Sequence, residues 1–292
     1  MIAAGPRDNV GVASNARPHR FPGFWRRPRF ALGMALLIGL IFFCFVGPLL
    51  DHVNPDAINL AHTSAPPSWH FWLGTDSLGR SEMTRMMVGG RLLIIVGLAS
   101  AAVGTAIGTL IGLAGALWRG WLDRAVVWVM DVVLGIPQLV PLLLVDQLLK
   151  PDALTLIFVV GVGVWPVVGR LVRAEALSLR ERDYVTAARS LGASQWRILT
   201  RHLFRNLGNV ILVALSNQVG VAVLLVATAS FLGMGLPPPA PNWGQMINSA
   251  TAELTYGDWW LLVFPGLAFV ALQISVNYIA DALRTEVRGA HR

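Results

Sequence analysis

Three histidines, His52, His62 and His70, share one segment between two long apolar runs, and three neutral imidazoles brought together could hold a zinc-type ion. Their unequal spacing, in a segment interrupted by Pro55, Pro66 and Pro67, favours ordinary solvated histidines instead. Nucleotide phosphate binding on a P-loop requires a lysine followed by serine or threonine, and the only lysine, Lys150, precedes Pro151. No serine has glycine at both the minus-two and plus-two positions, so the nucleophile-elbow pattern is absent. Asp131 lies in an apolar run with Pro137, Gln138, Pro141, Asp146 and Gln147, and a carboxylate at membrane depth is a functional candidate by default. Standing about two helical turns from the end of that run, it suits an ion pair with a nearby arginine equally well. These residues do not assemble into a catalytic set, and the expectation is a chain that performs no chemistry of its own.

Apolar residues make up 55% of the 292 and charged ones 13%, which is the balance of an integral membrane protein. The formal net charge is +7 and is carried by arginine. The arginines cluster at the ends of apolar runs rather than along a groove, which excludes a nucleic-acid binder. Cys44 is the single cysteine, so no disulfide forms within the chain. The first thirty residues lack the short apolar core and small-residue cleavage site of a removable signal peptide.

The fold class expected is an all-α membrane protein of six spans, at Phe30 to Leu50, Leu92 to Leu117, Ala125 to Leu149, Ala153 to Leu171, Leu207 to Leu232 and Trp259 to about Ala282. Prolines kink or break the third. Residues 1–29 read as a flexible tail, 30–285 as the membrane domain and 286–292 as a second tail. With alternating spans, Arg17, Arg20, Arg26, Arg27, Arg29, Arg119, Arg124, Arg170 through Arg205, Arg284, Arg288 and Arg292 share one face. Arg80, Arg85, Arg91 and Lys150 share the other, against Asp51, Asp56, Asp76, Glu82, Asp146, Asp152, Glu253 and Asp258. The positive-inside rule makes the first face, with both termini, cytoplasmic.

Gly104, Gly108 and Gly112 recur at four-residue spacing on one helix face, a signal for close packing against a helix of this bundle or of a partner subunit. Asn209, Ser216, Asn217 and Gln218 in the fifth span, with Gln273 and Asn277 in the sixth, suggest a wetted seam or interhelical hydrogen bonds. Asn217, Gln218, Gln273 and Asn277 are the candidates for a translocation pathway.

Between the fourth and fifth spans stands "YVTAARSLGAS", Tyr184 to Ser194. In a helix from about Asp183, Tyr184, Ala187, Ala188 and Leu191 form a narrow apolar stripe, opposite Arg182, Thr186, Arg189 and Ser190. Gly192 supplies the left-handed stop. Trp196, Leu199 and Leu203 open a second amphipathic stretch. A stripe with two alanines suits insertion into a groove, while the same amphipathicity suits a helix lying on the membrane.

The longer stretch "RERDYVTAARSLGASQWRILTRHLFRN", 180–206, resembles the EAA loop of permease subunits in bacterial ATP-binding-cassette importers, whose paired alanines and later glycine mark the helices that dock on the ATPase. Ala187, Ala188 and Gly192 match that pattern, while Thr186 replaces the usual glutamate and Arg205 the usual proline. "LGTDSLGRSEMTRMMVGGR", with Gly74, Thr75, Asp76, Gly79 and Arg80, is similar to the external segment of the peptide and nickel permease branch, with Ser81 where aspartate is common. "SFLGMGLPPPAPNWGQMI" and "PGLAFVALQISVNYIADALR" look like that branch's last external loop and final helix.

The resemblance implies a type I importer permease in the bacterial inner membrane, coupled to its ATPase through Tyr184, Thr186, Ala187, Ala188, Leu191, Gly192 and Ala193. It implies a heterodimer with a second permease, one or two ATP-binding-cassette subunits that hold ATP and magnesium, and an extracytoplasmic substrate-binding protein. Membrane lipids surround it, and no cofactor is bound by this chain. Its external loops, bearing Trp69, Trp72, Trp243 and Pro237 to Pro239, would meet the binding protein. Di- or oligopeptides are the expected cargo, with nickel chelates or glutathione as alternatives and a membrane-embedded enzyme as a remote one.

Overall fold

The computed structural model describes residues 28–118, 120–148, 152–194, 197–198, 204–235 and 239–290. They form α1 (Pro28–Leu50), α2 (Glu82–Leu117), α3 (Trp121–Gly135), α4 (Leu139–Leu148), α5 (Ala153–Arg180), α6 (Asp183–Ser190), α7 (Phe204–Phe231), α8 (Trp243–Glu253) and α9 (Trp260–Ala290). Of these, α1, α2, α5, α7 and α9 are long and apolar enough to cross a membrane, and α3 with α4 makes a sixth, broken span. The expected N-terminal tail up to residue 27, together with Arg119, Lys150, Trp196, Leu199, Leu203, Pro237, Pro238 and Arg292, lies outside the described residues.

Four spans differ from the hydropathy reading; the sixth, expected to end at about Ala282, continues as helix to Ala290, into the segment read as a tail. The third is two helices bent by 75°. Proline drives the residue before it out of the helical region, and Ile136, before Pro137, sits at φ −90° and ψ 122°. The second helix begins at Glu82, ten residues before the apolar run at Leu92, with Ser81 as its cap accepting from the Thr84 amide. At 36 residues it is about 54 Å long, against a hydrocarbon core of about 30 Å, so its charged start stands clear of the bilayer. The fourth runs on to Arg180 rather than ending at Leu171. Its start is capped by Asp152, whose carboxyl the Thr155 hydroxyl and amide hold below the usual carboxylate range.

Helices α2, α5 and α7 form the centre, with α1 and α9 against each other at one flank. The main core joins Leu93, Val96, Val160, Val164, Val223, Val226, Trp243 and Leu272, all buried. Chain direction gives the bundle two ends. One carries the 51–81 segment and α8; the other carries α6, where the Arg180 guanidinium donates to the carbonyls of Ala116 and Leu117 and so satisfies acceptors that the end of α2 leaves open. Near that end Arg173 donates two hydrogen bonds to Asp123, at 2.6 and 2.7 Å, and Asp131 pairs with Arg170. Of the two readings of Asp131, the structure displays the ion pair.

Candidate functional site

Helix α6 stands on the arginine-rich end by one fully buried side chain, Val185, which packs with Leu113, Leu117, Leu179, Ile198 and Leu207. The Tyr184 hydroxyl accepts from Asn206 Nδ2 at 3.1 Å, linking α6 to the start of α7. Gly192 has φ +82°, and the Ala193 amide donates to the Ala188 carbonyl at 3.0 Å, the long-range bond of a glycine-terminated helix. The stripe expected to be the helix's apolar face points outward: Tyr184 is 42% and Leu191 88% exposed, Ala187 is exposed and Ala188 half-buried. Thr186 and Ser190 are exposed too. Sequence periodicity missed Val185 as the anchor because a single valine among alanines contributes little to a stripe. The result is a short helix on a buried base, with Ala187 and Leu191 left exposed by the described residues and Ala188 half-buried beside them.

The glycine face of α2 is used within the chain. A Cβ on Gly104 would lie 2.9 Å from the Gly161 carbonyl oxygen, one on Gly108 2.5 Å from that of Trp165, and one on Gly112 2.5 Å from that of Gly169. Helices α2 and α5 therefore touch backbone to backbone. This decides between the two partners left open by spacing alone: the face meets this bundle's own α5 and is not available to a second subunit.

The four pathway candidates separate. Gln218 is buried, and its Nε2 donates to the Val164 carbonyl at 2.6 Å, joining α7 to α5. Gln273 donates to the Gly220 carbonyl at 3.0 Å, joining α9 to α7. Asn217 accepts from Arg284. Asn277 is exposed. Gln218, Gln273 and Asn217 thus all spend side-chain groups on interhelical bonds, while Asn277 is exposed on α9.

At the opposite end, the motif around Gly74 to Arg80 is a folded knot. Thr75 is buried, with its hydroxyl donating to the His62 carbonyl at 2.5 Å and accepting from the Ala65 amide at 2.8 Å. Asp76 accepts from the Leu78 and Arg80 amides and from Arg80 Nε at 2.6 Å. Gly74 has φ +81° and leaves room for the Trp260 indole, whose N–H donates to the Thr75 carbonyl at 3.3 Å. Gly79 has φ +71°, and a Cβ there would sit 1.8 Å from the Asn59 carbonyl oxygen. Gly79→Ala is expected to unseat this knot and lower the melting temperature of the purified chain, by an amount that reflects both strained φ and a backbone clash, of order 1–3 kcal/mol; an unchanged melting curve would remove the knot's structural role.

Trp243 corrects another expectation. It is completely buried rather than presented outward, its ring against Gly90 and its indole donating to the Met86 carbonyl at 2.8 Å. Trp69 and Trp72, by contrast, are 96% and 66% exposed. His62 and His70 both lean on the Phe71 ring, while His52 meets the Leu50 carbonyl, so the three imidazoles are not gathered.

Residues 104–289, from the glycine seam to the end of α9, match the family described as the binding-protein-dependent transport system inner membrane component. A Brucella suis protein named as a peptide permease is 39% identical over 255 residues, covering 86% of this chain and 84% of the relative. A second Brucella suis protein, named as a peptide transport system permease, is 34% identical over 259 residues, 89% of this chain and 87% of its own. The glutathione transport system permease of Pectobacterium atrosepticum is 31% identical over 266 residues, 89% and 88% of the two chains. With the outward-facing α6 and the interlocked α2–α5 pair on one scaffold of membrane-length helices, the chain belongs to the inner-membrane components of binding-protein-dependent transport systems, the permeases of ATP-binding-cassette importers.

Proposed function

We propose that this chain is one of two permease subunits through which an ATP-driven importer moves peptides into a bacterial cell by alternating access. The observation that carries the reading is α6, a short helix held at its base by the buried Val185, with Ala187 and Leu191 exposed and Ala188 half-buried. A groove on an ATPase subunit is the partner such a face fits, since small side chains let backbones approach. Tyr184, Thr186, Ala187, Ala188, Leu191, Gly192 and Ala193 are assigned to that contact. ATP and magnesium belong to the ATPase subunits, of which there are one or two, and closure of their dimer displaces α6. Substrate arrives from a binding protein at the other end, and of the pathway candidates the exposed Asn277, with Asn217 beside Arg284, is assigned to meet it in transit.

The arginines at the α6 end and the carboxylates at the far end support an orientation with both termini cytoplasmic. Peptide cargo is supported by the names of the Brucella relatives. The glutathione permease among the relatives favours a second reading within the same class, because glutathione is itself a small peptide. Co-purification of the tagged chain with its partners, followed by mass spectrometry of the ligand released from the binding protein, tests both. Peptides in the released fraction support the first reading and glutathione the second; a chain that captures no ATPase subunit refutes the importer assignment.

A further inference from the structure

At the end opposite α6, the 76–85 segment and α8 line a partly open cavity of about 320 Å³, within the range of small-ligand sites. Glu82 lines it at 3% exposure, and its Oε1 has no hydrogen-bond partner among the described residues. The neighbouring charges are otherwise matched: Arg80 meets Asp76 at 2.6 Å, and Arg85 meets Asp56 at 3.0 Å and Asp76 at 3.9 Å. Glu82 and, on the α8 side, Glu253 are left as the two carboxyl groups of the wall with no cation within ion-pair distance among the described residues.

A buried carboxyl with an unsatisfied oxygen is costly unless a donor reaches it, and a charged N–H donor satisfies it best. The same wall holds the amide of Gln245 and the hydroxyl of Ser249 as donors, beside the guanidinium groups of Arg80 and Arg85 that Asp76 and Asp56 already engage. It therefore offers acceptors for a cation and donors for an anion within one small volume. The tip of a protein lysine would occupy only a fraction of that space and leave the donors idle, whereas a molecule with an ammonium group at one end and a carboxylate at the other uses both.

We propose that this cavity is a binding site for a small peptide-like zwitterion, with Glu82 accepting its free ammonium group. The proposal rests on the peptide-importer reading for the origin of the ligand and for the cavity's extracytoplasmic position. The sequence motif gave no notice of it, because Glu82 lies one position beyond the site where the family's aspartate is expected.

The test is direct binding to the assembled transporter, without its binding protein and without ATP, using dialanine and N-acetyl-dialanine as probes. Dialanine is expected to bind saturably and the acetylated form about tenfold more weakly or worse, as loss of a charged hydrogen bond implies. Glu82→Gln should weaken dialanine by a similar factor and bind the two probes alike. Glu253→Gln, at the less buried side of the wall, should give a severalfold loss and serves if Glu82→Gln fails to fold. No saturable dialanine binding, equal binding of the two probes, or full affinity in both variants overturns the proposal. So does a cavity that is protected only when the binding protein docks, with protection abolished by acetylating that protein's lysines. Because neither uptake nor hydrolysis enters the measurement, such a failure leaves the permease reading standing, and that reading fails separately if no ATPase subunit co-purifies.

Discussion

Gly108→Leu is expected to leave little folded protein in the membrane, and Gly108→Ala to lower its melting temperature clearly. The Cβ that either substitution adds would sit 2.5 Å from the Trp165 carbonyl oxygen, 2.8 Å from Val168 Cβ and 2.9 Å from the Gly169 amide nitrogen. Two of those three atoms are backbone, so no rotamer change relieves the clash; α2 and α5 must separate. Overpacking a core commonly costs about 1–3 kcal/mol, and here separation would also open the contacts at Gly104 and Gly112 along the same seam. Gly163 provides the control on α5 itself, since a Cβ there meets nothing within 4 Å. Alanine at 163 should be neutral or stabilising by about 0.5–1 kcal/mol, the usual advantage of alanine over glycine inside a helix. Thermal unfolding followed by fluorescence-detected size exclusion reads all three variants. If Gly108→Leu gives wild-type yield and melting, the seam is not what holds the two helices together.

Ala187→Trp and Leu191→Asp should have the opposite profile, with folding intact and transport lost. Both side chains point away from the bundle, so neither substitution disturbs the Val185 anchor or the Gly192 stop. In a groove-seated helix, however, an indole at 187 blocks approach and a carboxylate at 191 is buried without a partner. Central interface positions typically carry 2 kcal/mol or more, which corresponds to an uptake loss of at least about thirtyfold. The measurements are uptake in cells or vesicles, ATP hydrolysis by the purified complex with and without substrate, and melting of the permease. Reduced uptake with unstimulated hydrolysis and an unchanged melting curve is the expected combination. Normal uptake in both variants would place the coupling contact elsewhere.

Much of this architecture was legible in the sequence, and what was not has physical reasons. Five apolar runs identified five continuous helices because hydrocarbon demands about twenty apolar residues in a row. Pro137 marked the break in the third span. The extensions of α2 back to Glu82 and of α5 out to Arg180 were invisible to hydropathy, since those turns lie outside the hydrocarbon and carry Glu82, Arg85, Arg173, Glu175 and Arg180. The glycine spacing announced close contact without naming the partner; the complementary signal was Gly161 and Gly169, two turns apart on the facing helix. Trp243 looked like an outward aromatic beside prolines because its pocket, formed at Gly90 and Met86, is more than a hundred residues away in the chain. At the α6 end, the stripe and the stop were readable, but the anchor was not, because which face of a short helix is buried depends on the helix ends beneath it.

The seam between α2 and α5 also bears on how a push at α6, in the coupling role proposed for it, would travel. Glycines at 104, 108 and 112 face backbone of α5 at successive turns, so sliding one helix along the other would carry glycine past bulkier neighbours until the next register, about 6 Å away. Such a pair behaves like a keyed shaft: it resists slip in small steps and turns as one piece. Arg180 pins the end of α5 to the end of α2, and Tyr184 fastens α6 to the start of α7. On the coupling role proposed for α6, a stroke delivered at Ala187 and Leu191 would not be absorbed as shear at that end of the bundle. It would reach the far end as movement of the α2–α5 pair as one block.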